Sequence, residues 1–455
     1  MEKQTTTGKA LLHNFLSAGT IIRLANRMLS CINADLVRHN ERTAFLAISM
    51  MKNQKMREGC SFQNLMLLAL FHTIGFFRID LFTGYNPYDS NELNYFSTTD
   101  KQVISNYRFS CYYLSYMTPL TDAACAIENF TQGFDPIAKK ALYQTEYKSI
   151  IYLCSRISDF YIKHPGEALP EDLNELAPRQ FDPEYVELFK KVNQDNELIN
   201  KFEDDLFYEE LREFIQAVDF NDEETEQLLK LLVYILDFKS TSTFKHSINT
   251  ACYALSIGDR LNLNKNEMGI LFTGAFLHDI GKIATPQKIL EAPGRLSPEQ
   301  MGIMKLHVKH SKKILTSLVP DSIINIVFHH HEKLNGMGYP QHLKGDSLSV
   351  LDRILTVADI TSALCDSRSY KTEFSKESVI SILSDMAEKG EIDKIITSYM
   401  QQDFDEIQNE RLEYQNLFNS KYDQVLHAYT DYYFNDSSSI INHIEEDVSE
   451  LLEEL

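Results

Sequence analysis

The stretch Leu277-His278-Asp279-Ile280-Gly281-Lys282 places an imidazole beside a carboxylate, directly after an apolar segment. Other imidazole and carboxylate side chains stand far from it in the sequence, at His246, His307, His330, His331 and Asp359. Residues so far apart lie on different helices, so they converge only if those helices pack as one bundle. Bundle cores hold metal ions in this way, with imidazoles and carboxylates projecting inward from facing helices. The stretch therefore favours a helical bundle built around a metal centre.

The spacing of apolar residues agrees with a helical fold. Apolar side chains recur at helical spacing in Ile248-Ala251-Leu255 and in Ile314-Leu318, and few stretches alternate as strands do. Ser297-Pro298-Glu299-Gln300 predicts a helix start, because Ser can cap, Pro suits the first turn and Gln can close a capping box. We expect an all-α protein.

A second motif, His330-His331-Glu332, runs into the turn Gly336-Met337-Gly338-Tyr339-Pro340. Imidazole nitrogen is the commonest protein ligand for zinc, iron and similar ions. The paired histidines predict a metal held at a helix end, beside a loop that can take a ligand. Gly336 and Gly338 permit backbone conformations that other residues resist. Tyr339 is then free to line a pocket, although packing alone is a role equally open to this ring.

A less complete copy of this pattern of motifs occurs earlier in the chain. Residues 67–75 echo residues 272–281, and Arg38-His39-Asn40 echoes Lys245-His246-Ser247 at a nearly equal separation. Further along the chain, an alignment of the two copies with a constant shift of 200 positions pairs Tyr107 with His307, Phe130 with His330, Thr131 with His331 and Asp159 with Asp359. Chance similarity between helical segments is the alternative, but several landmarks recur in the same order.

The first copy lacks several of the metal-ligating side chains of the second. Thr73 stands where Asp279 would be, and Phe76 stands where Lys282 would be. Phe, Tyr and Thr are poor replacements for imidazole and carboxylate as ligands of a divalent metal. We therefore expect the first copy to fold like the second without its metal centre.

The composition limits the partners of the chain. With 455 residues and 44% hydrophobic content, it has material for two to three domains with ample cores. The net charge of −21 argues against binding a nucleic acid polymer or an anionic membrane. Seven scattered cysteines without a CxxC motif favour reduced thiols. No signal-peptide pattern is visible, and the apolar run 65–77 is too short to span a bilayer, so we expect a cytoplasmic protein.

We expect four segments along the chain. Residues 1–195 form the degenerate copy, 196–239 an acidic helical linker, 240–400 the copy with the complete motif, and 401–455 an acidic helical extension. The first copy is expected to pack against the second or to mediate a homodimer.

Taken together and in order, these motifs resemble the HD-GYP family, a branch of the HD phosphohydrolases. The match covers roughly residues 235–400, with a degenerate second match over roughly 20–195. It rests on His278-Asp279-Ile280-Gly281-Lys282, His330-His331-Glu332, Gly338-Tyr339-Pro340, Val357-Ala358-Asp359 and Arg368-Ser369-Tyr370-Lys371. The resemblance implies hydrolysis of cyclic dinucleotides, chiefly cyclic di-GMP, on two tandem HD-type helical bundles of which the first is degenerate.

The resemblance also implies a set of metal ligands. One divalent ion would be held by His246, His278, Asp279 and Asp359, and a second by His307, His330 and His331, with Asp279 bridging the two. Mixed nitrogen and oxygen ligands favour iron or manganese, with zinc also compatible, over an oxygen-only magnesium site. Two such metal ions lower the pKa of a water molecule that bridges them, and they bind the phosphoryl oxygens during an in-line displacement.

Further roles follow from the same resemblance. Asp279 and Lys282 are the expected catalytic residues, with Lys282 placed to stabilise charge on a phosphoryl oxygen or the leaving group; a surface lysine is the alternative. Arg368 and Lys371 would bind the second phosphate or a guanine, since Arg suits bidentate contact. Gly338 and Tyr339 would line the substrate pocket.

Two positions depart from the family pattern. Family members with a third metal carry Glu where this chain has Ser242, so we expect a binuclear centre and linear pGpG as the product. Asn335 stands where Asp is usual, which keeps the turn and removes a charge. Two alternatives to cyclic di-GMP hydrolysis stay open: hydrolysis of another cyclic dinucleotide such as 3′,3′-cGAMP, and a nucleotide-sensing scaffold with little turnover.

Overall fold

The protein is described here by a computed structural model covering residues 16–77, 101–128, 130–132, 143–176, 181–203, 205–237, 241–292, 294–366 and 374–412. Within these ranges the regular elements are helices, and the β-type pairing is one isolated antiparallel bridge between Asn335 and Lys344. The all-α prediction is confirmed. In the described ranges, no helix has both the length and the apolar character needed to cross a membrane.

The longer helices follow one another along the chain. They are α1 (Ala18–Ser30), α2 (Ala34–Met51), α3 (Phe62–Phe71), α4 (Lys101–Met117), α5 (Gln144–Lys163), α6 (Pro183–Asn196), α7 (Phe207–Ala217), α8 (Asp222–Asp237), α9 (Thr241–Arg260), α10 (Lys265–Leu277), α11 (Pro298–Lys305), α12 (His307–Leu315), α13 (Asp321–His329), α14 (Val350–Cys365), α15 (Lys376–Glu388) and α16 (Lys394–Gln402). Short helical turns lie at Ile74–Phe77, Thr121–Ile127, Phe130–Gln132, Leu173–Leu176, Asn200–Glu203, Ile280–Ala284, Gln287–Leu290 and Gly345–Ser347.

Capping side chains set the starts of the helices near the site. The predicted capping box is present at α11, where Ser297 and Gln300 each accept the other's backbone N–H. Asn264 caps α10 together with Glu267, and Ser349 caps α14. Such boxes satisfy backbone donors that a helix start leaves free, so they fix where each helix begins.

The two halves of the chain share one packing plan. In the second half, α9 packs against α10 and α14, and α12 packs on the turn Ile280–Ala284. In the first half, α2 packs against α3 and α5, and α4 packs on the turn Ile74–Phe77. The order of these contacts along the chain is the same in both halves, which supports the internal repeat seen in the sequence.

A glycine marks the same close approach in both halves. The N–H of Gly281 donates to Ser311 Oγ at 2.9 Å, and the N–H of Gly75 donates to Ser110 Oγ at 2.9 Å. A Cβ on either glycine would come within 2.1 Å of a backbone carbonyl oxygen of the facing helix. Larger residues are excluded at both positions, because a backbone atom cannot move aside as a side chain tip can.

The constant shift of 200 positions is wrong over the later helices. His39 Nε2 lies 3.0 Å from Ser155 Oγ, whereas His246 Nε2 lies 2.9 Å from Asp359 Oδ1. Ser155 therefore takes the place of Asp359, one helical turn before the residue that the shift selected. That residue, Asp159, accepts from Lys163 at 3.0 Å instead. By the same comparison, the backbone that faces Gly75 belongs to Asn106, so Asn106 corresponds to His307, which faces Gly281.

The acidic segment between the copies takes part in the core. Helix α8 packs against α1 of the first bundle and α9 of the second. Its apolar face buries Leu228, Leu231 and Ile235 completely. The first and second bundles therefore share a continuous hydrophobic core through α8. Of the expected extension 401–455, residues 413–455 lie outside the described ranges.

Candidate metal centre

The structure brings the seven expected ligand residues to one place in the second bundle. They are His246 on α9, His278 and Asp279 directly after α10, His307 at the start of α12, His330 and His331 at the end of α13, and Asp359 on α14. Six of them are buried, and His331 is partly exposed. The chain thus concentrates imidazoles and carboxylates in its interior, where such groups need partners.

Asp279 lies between two groups of imidazoles. Its Oδ2 atom lies 3.2 Å from His278 Nε2 and 3.7 Å from His246 Nε2. Its Oδ1 atom lies 3.5 Å from His307 Nε2 and 3.9 Å from His330 Nε2. Each carboxylate oxygen therefore faces a different group, an arrangement suited to two neighbouring cations.

Two sets of potential ligand atoms have the spacing of a metal site. His246, His278 and Asp279 form one set, and His307, His330 and His331 form the other, each with its ligand atoms within 4.8 Å of one another. Asp359 adjoins both sets. Its Oδ1 lies 2.9 Å from His246 Nε2, and its Oδ2 lies 3.5 Å from His331 Nδ1.

Backbone carbonyls orient three of the imidazoles. The Nδ1 atoms of His278, His307 and His330 each lie 2.6 Å from the carbonyl oxygen three residues earlier. A carbonyl oxygen only accepts, so these Nδ1 atoms carry the proton. The Nε2 atoms therefore present lone pairs toward Asp279, as metal ligation requires.

Two buried polar atoms at the centre make no hydrogen bond. They are His278 Nε2 and Asp279 Oδ1. A buried lone pair and a buried carboxylate oxygen are costly unless an ion or water satisfies them. A donor set of imidazole nitrogens and carboxylate oxygens suits a divalent transition metal. The residues present therefore fit the metal ions expected from the sequence.

The protonation states of His307, His331 and Asp279 also suit cation binding. Burial lowers the pKa of His307 to about 4 and the pKa of His331 to about 3, so both rings are neutral near pH 7. Burial opposes ionisation of Asp279, yet the neighbouring His278 and Lys282 hold its pKa well below the usual range. His246 differs: burial would lower its pKa, but hydrogen bonds to Asp359 and Asp366 raise it to about 9.

Lys282 contacts the central carboxylate from the turn Ile280–Ala284. Its Nζ lies 2.5 Å from Asp279 Oδ2, and its side chain is 17% exposed. Helix α10 ends at Leu277, before both residues, and a tighter helical turn follows. The tighter turn still brings Lys282 back over Asp279.

Glu332 holds the loop beside the site. Its carboxylate is fully buried and accepts the backbone N–H groups of Gln341, His342 and Leu343 at 2.6, 3.1 and 3.1 Å. A carboxylate with three such donors is engaged in fixing the backbone. The position of Glu332 in the motif His330-His331-Glu332 gave no sign of this function.

The two loop glycines serve different needs. Gly336 has a φ of +78°, the left-handed conformation that the sequence analysis expected. A Cβ on Gly338 would lie 2.4 Å from the backbone of Glu332 and Lys333, so this glycine permits a close approach of two chain segments. The Tyr339 ring lies 4.8 Å from the His331 ring, and the Lys305 ammonium lies 4.8 Å from the centre of the Tyr339 ring.

Residues 230–396 match the family model described as "HD domain". We refer to this part of the chain as the HD domain, after the family model that it matches. Curated relatives include the 3′3′-cGAMP-specific phosphodiesterase 1 of Vibrio cholerae, 31% identical over 172 residues, which are 38% of this chain and 40% of the relative. A cyclic di-GMP phosphodiesterase response regulator of Xanthomonas campestris is 29% identical over 174 residues, with 38% and 46% covered. The chain spans less than half the length of these two relatives.

The resemblance to one solved structure covers a longer part of this chain than the HD domain alone. It is a crystal structure of a cyclic GMP-AMP specific phosphodiesterase of Vibrio cholerae, with a TM-score of 0.53 and 18% identity. The likeness covers 89% of this chain and 98% of that one, so it extends beyond residues 230–396. At this identity it shows the fold alone, and it agrees with the two helical bundles described above.

The first bundle has the Phe130 ring beside His72, where the HD domain has the His330 ring beside His278. The Phe130 ring lies 5.3 Å from His72 and 5.0 Å from Tyr107. His39 and His72 remain, and burial lowers the pKa of each to about 3. Among the described residues, both sets with metal-site spacing belong to the HD domain.

Three polar residues around His246 were missed in the sequence. Ser362 Oγ lies 2.9 Å from His246 Nδ1, and Asp366 Oδ2 lies 3.4 Å from the same atom. Asn249 Nδ2 donates to Asp366 Oδ1 at 2.6 Å. These contacts fix the ring so that Nε2 points to Asp359. The sequence held only a weak signal for them: Asn249 lies three residues after His246, and Asp366 follows Asp359 at helical spacing.

Some expected residues cannot be placed. Arg368 and Lys371 fall within 367–373, outside the described residues, and the side chain of Ser242 is likewise not described. The seven cysteines, all within the described residues, form no disulfide bond with one another.

Proposed function

We propose that this protein is a metal-dependent phosphodiesterase that hydrolyses cyclic di-GMP to linear pGpG. The observation that carries the proposal is the position of Asp279, whose two oxygens face two separate groups of imidazoles. The named relatives support hydrolysis of cyclic dinucleotides as the reaction class. The absence of Glu at the Ser242 position supports two metal ions, and with them a linear product.

In this proposal the seven residues divide between two divalent ions. His246, His278, Asp279 and Asp359 hold one ion, while His307, His330 and His331 hold the second with Asp279. Iron or manganese suits this set best. When bound, such ions activate water and neutralise charge on a phosphodiester.

Lys282 supplies positive charge at the reaction site. Its ammonium group orients Asp279 and remains close enough to contact a phosphoryl oxygen bound beside that carboxylate. The site is partly buried, so a charge here acts more strongly than one in bulk water. A chain with a net charge of −21 repels an anionic substrate unless cations are placed in this way.

The loop with Tyr339 forms a wall for the substrate. Its ring lies beside His331 and under the ammonium group of Lys305, which presents an aromatic face and a cation at the edge of the site. A nucleobase packs on such a face, and a phosphate pairs with such a cation. We propose that Gly338 and Tyr339 bind substrate here, and that Arg368 and Lys371 bind its second phosphate or a guanine.

A second candidate substrate is 3′,3′-cGAMP. The observation that favours it is that several relatives are named as specific for this molecule. The two substrates share the phosphodiester ring and differ in one base, so competition between them separates the candidates. The preferred substrate will have the higher kcat/KM when both are present.

The enzyme itself is tested with full-length protein loaded with Fe(II) or Mn(II) under anaerobic conditions. Chromatography of the products should detect linear pGpG from cyclic di-GMP. Asp279→Ala should abolish the product, while Asp385→Ala, which removes an exposed carboxylate on α15, should retain it. Tight nucleotide binding without product in the wild-type protein would instead identify a sensing scaffold.

A further inference from the structure

A cleft of about 450 Å³ opens where α1, α2 and α7 of the first bundle meet the end of α12 in the HD domain. We call it the arginine cleft, because four guanidinium groups line it: Arg23, Arg27, Arg38 and Arg212. Apolar side chains, among them Leu211 and Ile215, form another part of its wall. The volume lies within the range of about 300–1,000 Å³ that small-molecule sites occupy.

Three of these arginines, Arg23, Arg27 and Arg38, form no ion pair with any residue that the structure describes, whereas Arg212 pairs with the Glu209 carboxylate. Arg23 donates to a backbone carbonyl of its own helix at 3.3 Å, and Arg38 donates to the Tyr208 hydroxyl at 3.3 Å. Neither bond neutralises a charge, and both leave several of the five guanidinium donors unused. Burial lowers the pKa of Arg23, and the neighbouring charges of Arg27 and Arg212 lower it further. These cations therefore repel one another across the cleft.

The carboxylates of the cleft do not balance this charge. Only Asp35 and Glu41 line it, against four guanidinium groups. Burial raises the pKa of Glu41 to about 7, so this carboxyl is partly protonated at neutral pH. Glu209, outside the lining, pairs with Arg212, and the Tyr208 hydroxyl together with Asp205 and Asp35 raises the pKa of Arg38. Arg23 and Arg27 have no carboxylate partner among the described residues, so they leave a local excess of positive charge on a chain whose net charge is −21.

Arg27 joins the cleft to the HD domain. It donates to the carbonyl oxygens of Ile314 and Thr316 at 2.9 and 2.6 Å. These carbonyls end α12, whose first residue is His307 of the candidate metal centre, about 13 Å away along the helix axis. Arg27 is therefore already engaged in holding the bundles together, whereas Arg23 and Arg38 have free donors for a ligand.

We propose that the arginine cleft binds a nucleoside polyphosphate. Guanidinium groups bind phosphate oxygens through paired hydrogen bonds, and a di- or triphosphate offers oxygens to Arg23 and Arg38 together. The Tyr208 ring and the apolar wall give the nucleoside a surface on which to pack. An inorganic phosphate or pyrophosphate would leave most of the cleft unfilled. This site is separate from the metal centre and does not depend on the proposed phosphodiesterase activity.

The test measures binding of N-methylanthraniloyl-ATP to the full-length protein by fluorescence, with unlabelled ATP, pyrophosphate and adenosine as competitors. EDTA is present, so that no divalent ion links the phosphates to the metal centre. Saturable binding is expected, with ATP displacing the probe at lower concentration than pyrophosphate or adenosine. Arg23→Gln combined with Arg38→Gln should raise Kd by about tenfold for each charge-assisted hydrogen bond that the substitutions remove.

The matched control combines Lys190→Gln with Lys389→Gln, which removes the same charge from exposed positions outside the cleft. Its Kd should equal that of the wild-type protein. Equal Kd values for the arginine variant and the wild type, or no saturable binding, would overturn the proposal. Pyrophosphate as effective as ATP would overturn the role of the nucleoside. If the double variant is unstable, the exposed Arg38 alone is replaced by Gln, and an unchanged Kd there counts against the cleft.

Discussion

The ring of Phe130 lies 5.3 Å from the ring of His72, in the first bundle, where the HD domain has His330 at 5.0 Å from His278. An apolar ring thus occupies the position of a candidate ligand. Phe130 is 1% exposed and also packs against Tyr107 and Tyr152. Around Phe130 the first bundle therefore has a cluster of aromatic rings where the HD domain has an imidazole.

Phe130→Ala should destabilise the protein and leave its metal content unchanged. Removing a buried aromatic ring costs about 3–5 kcal/mol, because the cavity closes only in part. Thermal unfolding should show a lower Tm, and elemental analysis should find as much metal as in the wild type. Phe374→Ala, at a position that is 37% exposed, should change Tm much less. Loss of metal from the Phe130 variant would mean that the first bundle takes part in the metal centre.

Asp366→Asn should weaken metal binding without removing a proposed ligand. The carboxylate of Asp366 lies 3.4 Å from His246 Nδ1, on the side of the ring opposite to the proposed metal. Residues that orient a ligand in this way typically change metal affinity by about 10–100-fold. Competition with a chelator for Mn(II) measures the effect. Asp385→Asn, an exposed change of the same chemistry on α15, should leave the affinity unaltered, and an equal effect of both would argue against orientation of His246.

Glu332→Gln should loosen the loop that contains Tyr339. The native carboxylate accepts three backbone N–H groups, whereas a neutral amide accepts fewer and weaker bonds. Each hydrogen bond to a charged group contributes about 1.5–3 kcal/mol, so amide exchange at Gln341, His342 and Leu343 should accelerate about tenfold or more. Hydrogen–deuterium exchange with mass spectrometry checks this. Unchanged protection would show that the loop is held by other contacts.

Much of the site could be predicted because its chemistry is local to short motifs. The pair His278-Asp279 and the pair His330-His331 each lie at the end of a helix, so the two side chains of a pair start from neighbouring positions at that end. The convergence of these pairs followed from packing the helices into one bundle. The functions of Glu332 and Asp366 could not be predicted in this way. The partners of Glu332 depend on how the following loop folds back, and the partner of Asp366 lies on another helix, so residue spacing identifies neither.

The incorrect alignment of Asp159 with Asp359 has a physical cause. Ser155 and Asp159 are four residues apart on α5, so they lie on the same face of the helix. A slip of one turn therefore preserves the apolar pattern, and the alignment could not detect it. Asp159 offered a better chemical match to Asp359 than Ser155 did. The hydrogen bond between His39 and Ser155 corrects the register.

His39→Gln should make the protein less sensitive to acid. Burial lowers the pKa of His39 to about 3, below the value of about 6.5 for an unfolded histidine. As pH falls, the unfolded chain binds the proton first, so this stability is complete above about pH 6.5 and is lost between there and about pH 3. At about pH 5 the loss is about 2 kcal/mol. The drop in Tm from about pH 7.5 to about pH 5 should therefore shrink in His39→Gln and persist in His164→Gln, at an exposed site.

Lys282→Met should lower kcat while the metal content is retained. The ammonium group lies 2.5 Å from Asp279 Oδ2 but is not itself a proposed ligand, so its removal leaves the set of ligands intact. Loss of one placed charge at a developing phosphoryl charge costs about 10²–10³-fold in rate. Turnover of cyclic di-GMP and elemental analysis are measured on the same preparation. Lys288→Met, at an exposed position in the next helical turn, is the matched control. A lower metal content would assign Lys282 to assembly of the centre, and unchanged kcat with full metal content would make it a structural ion pair.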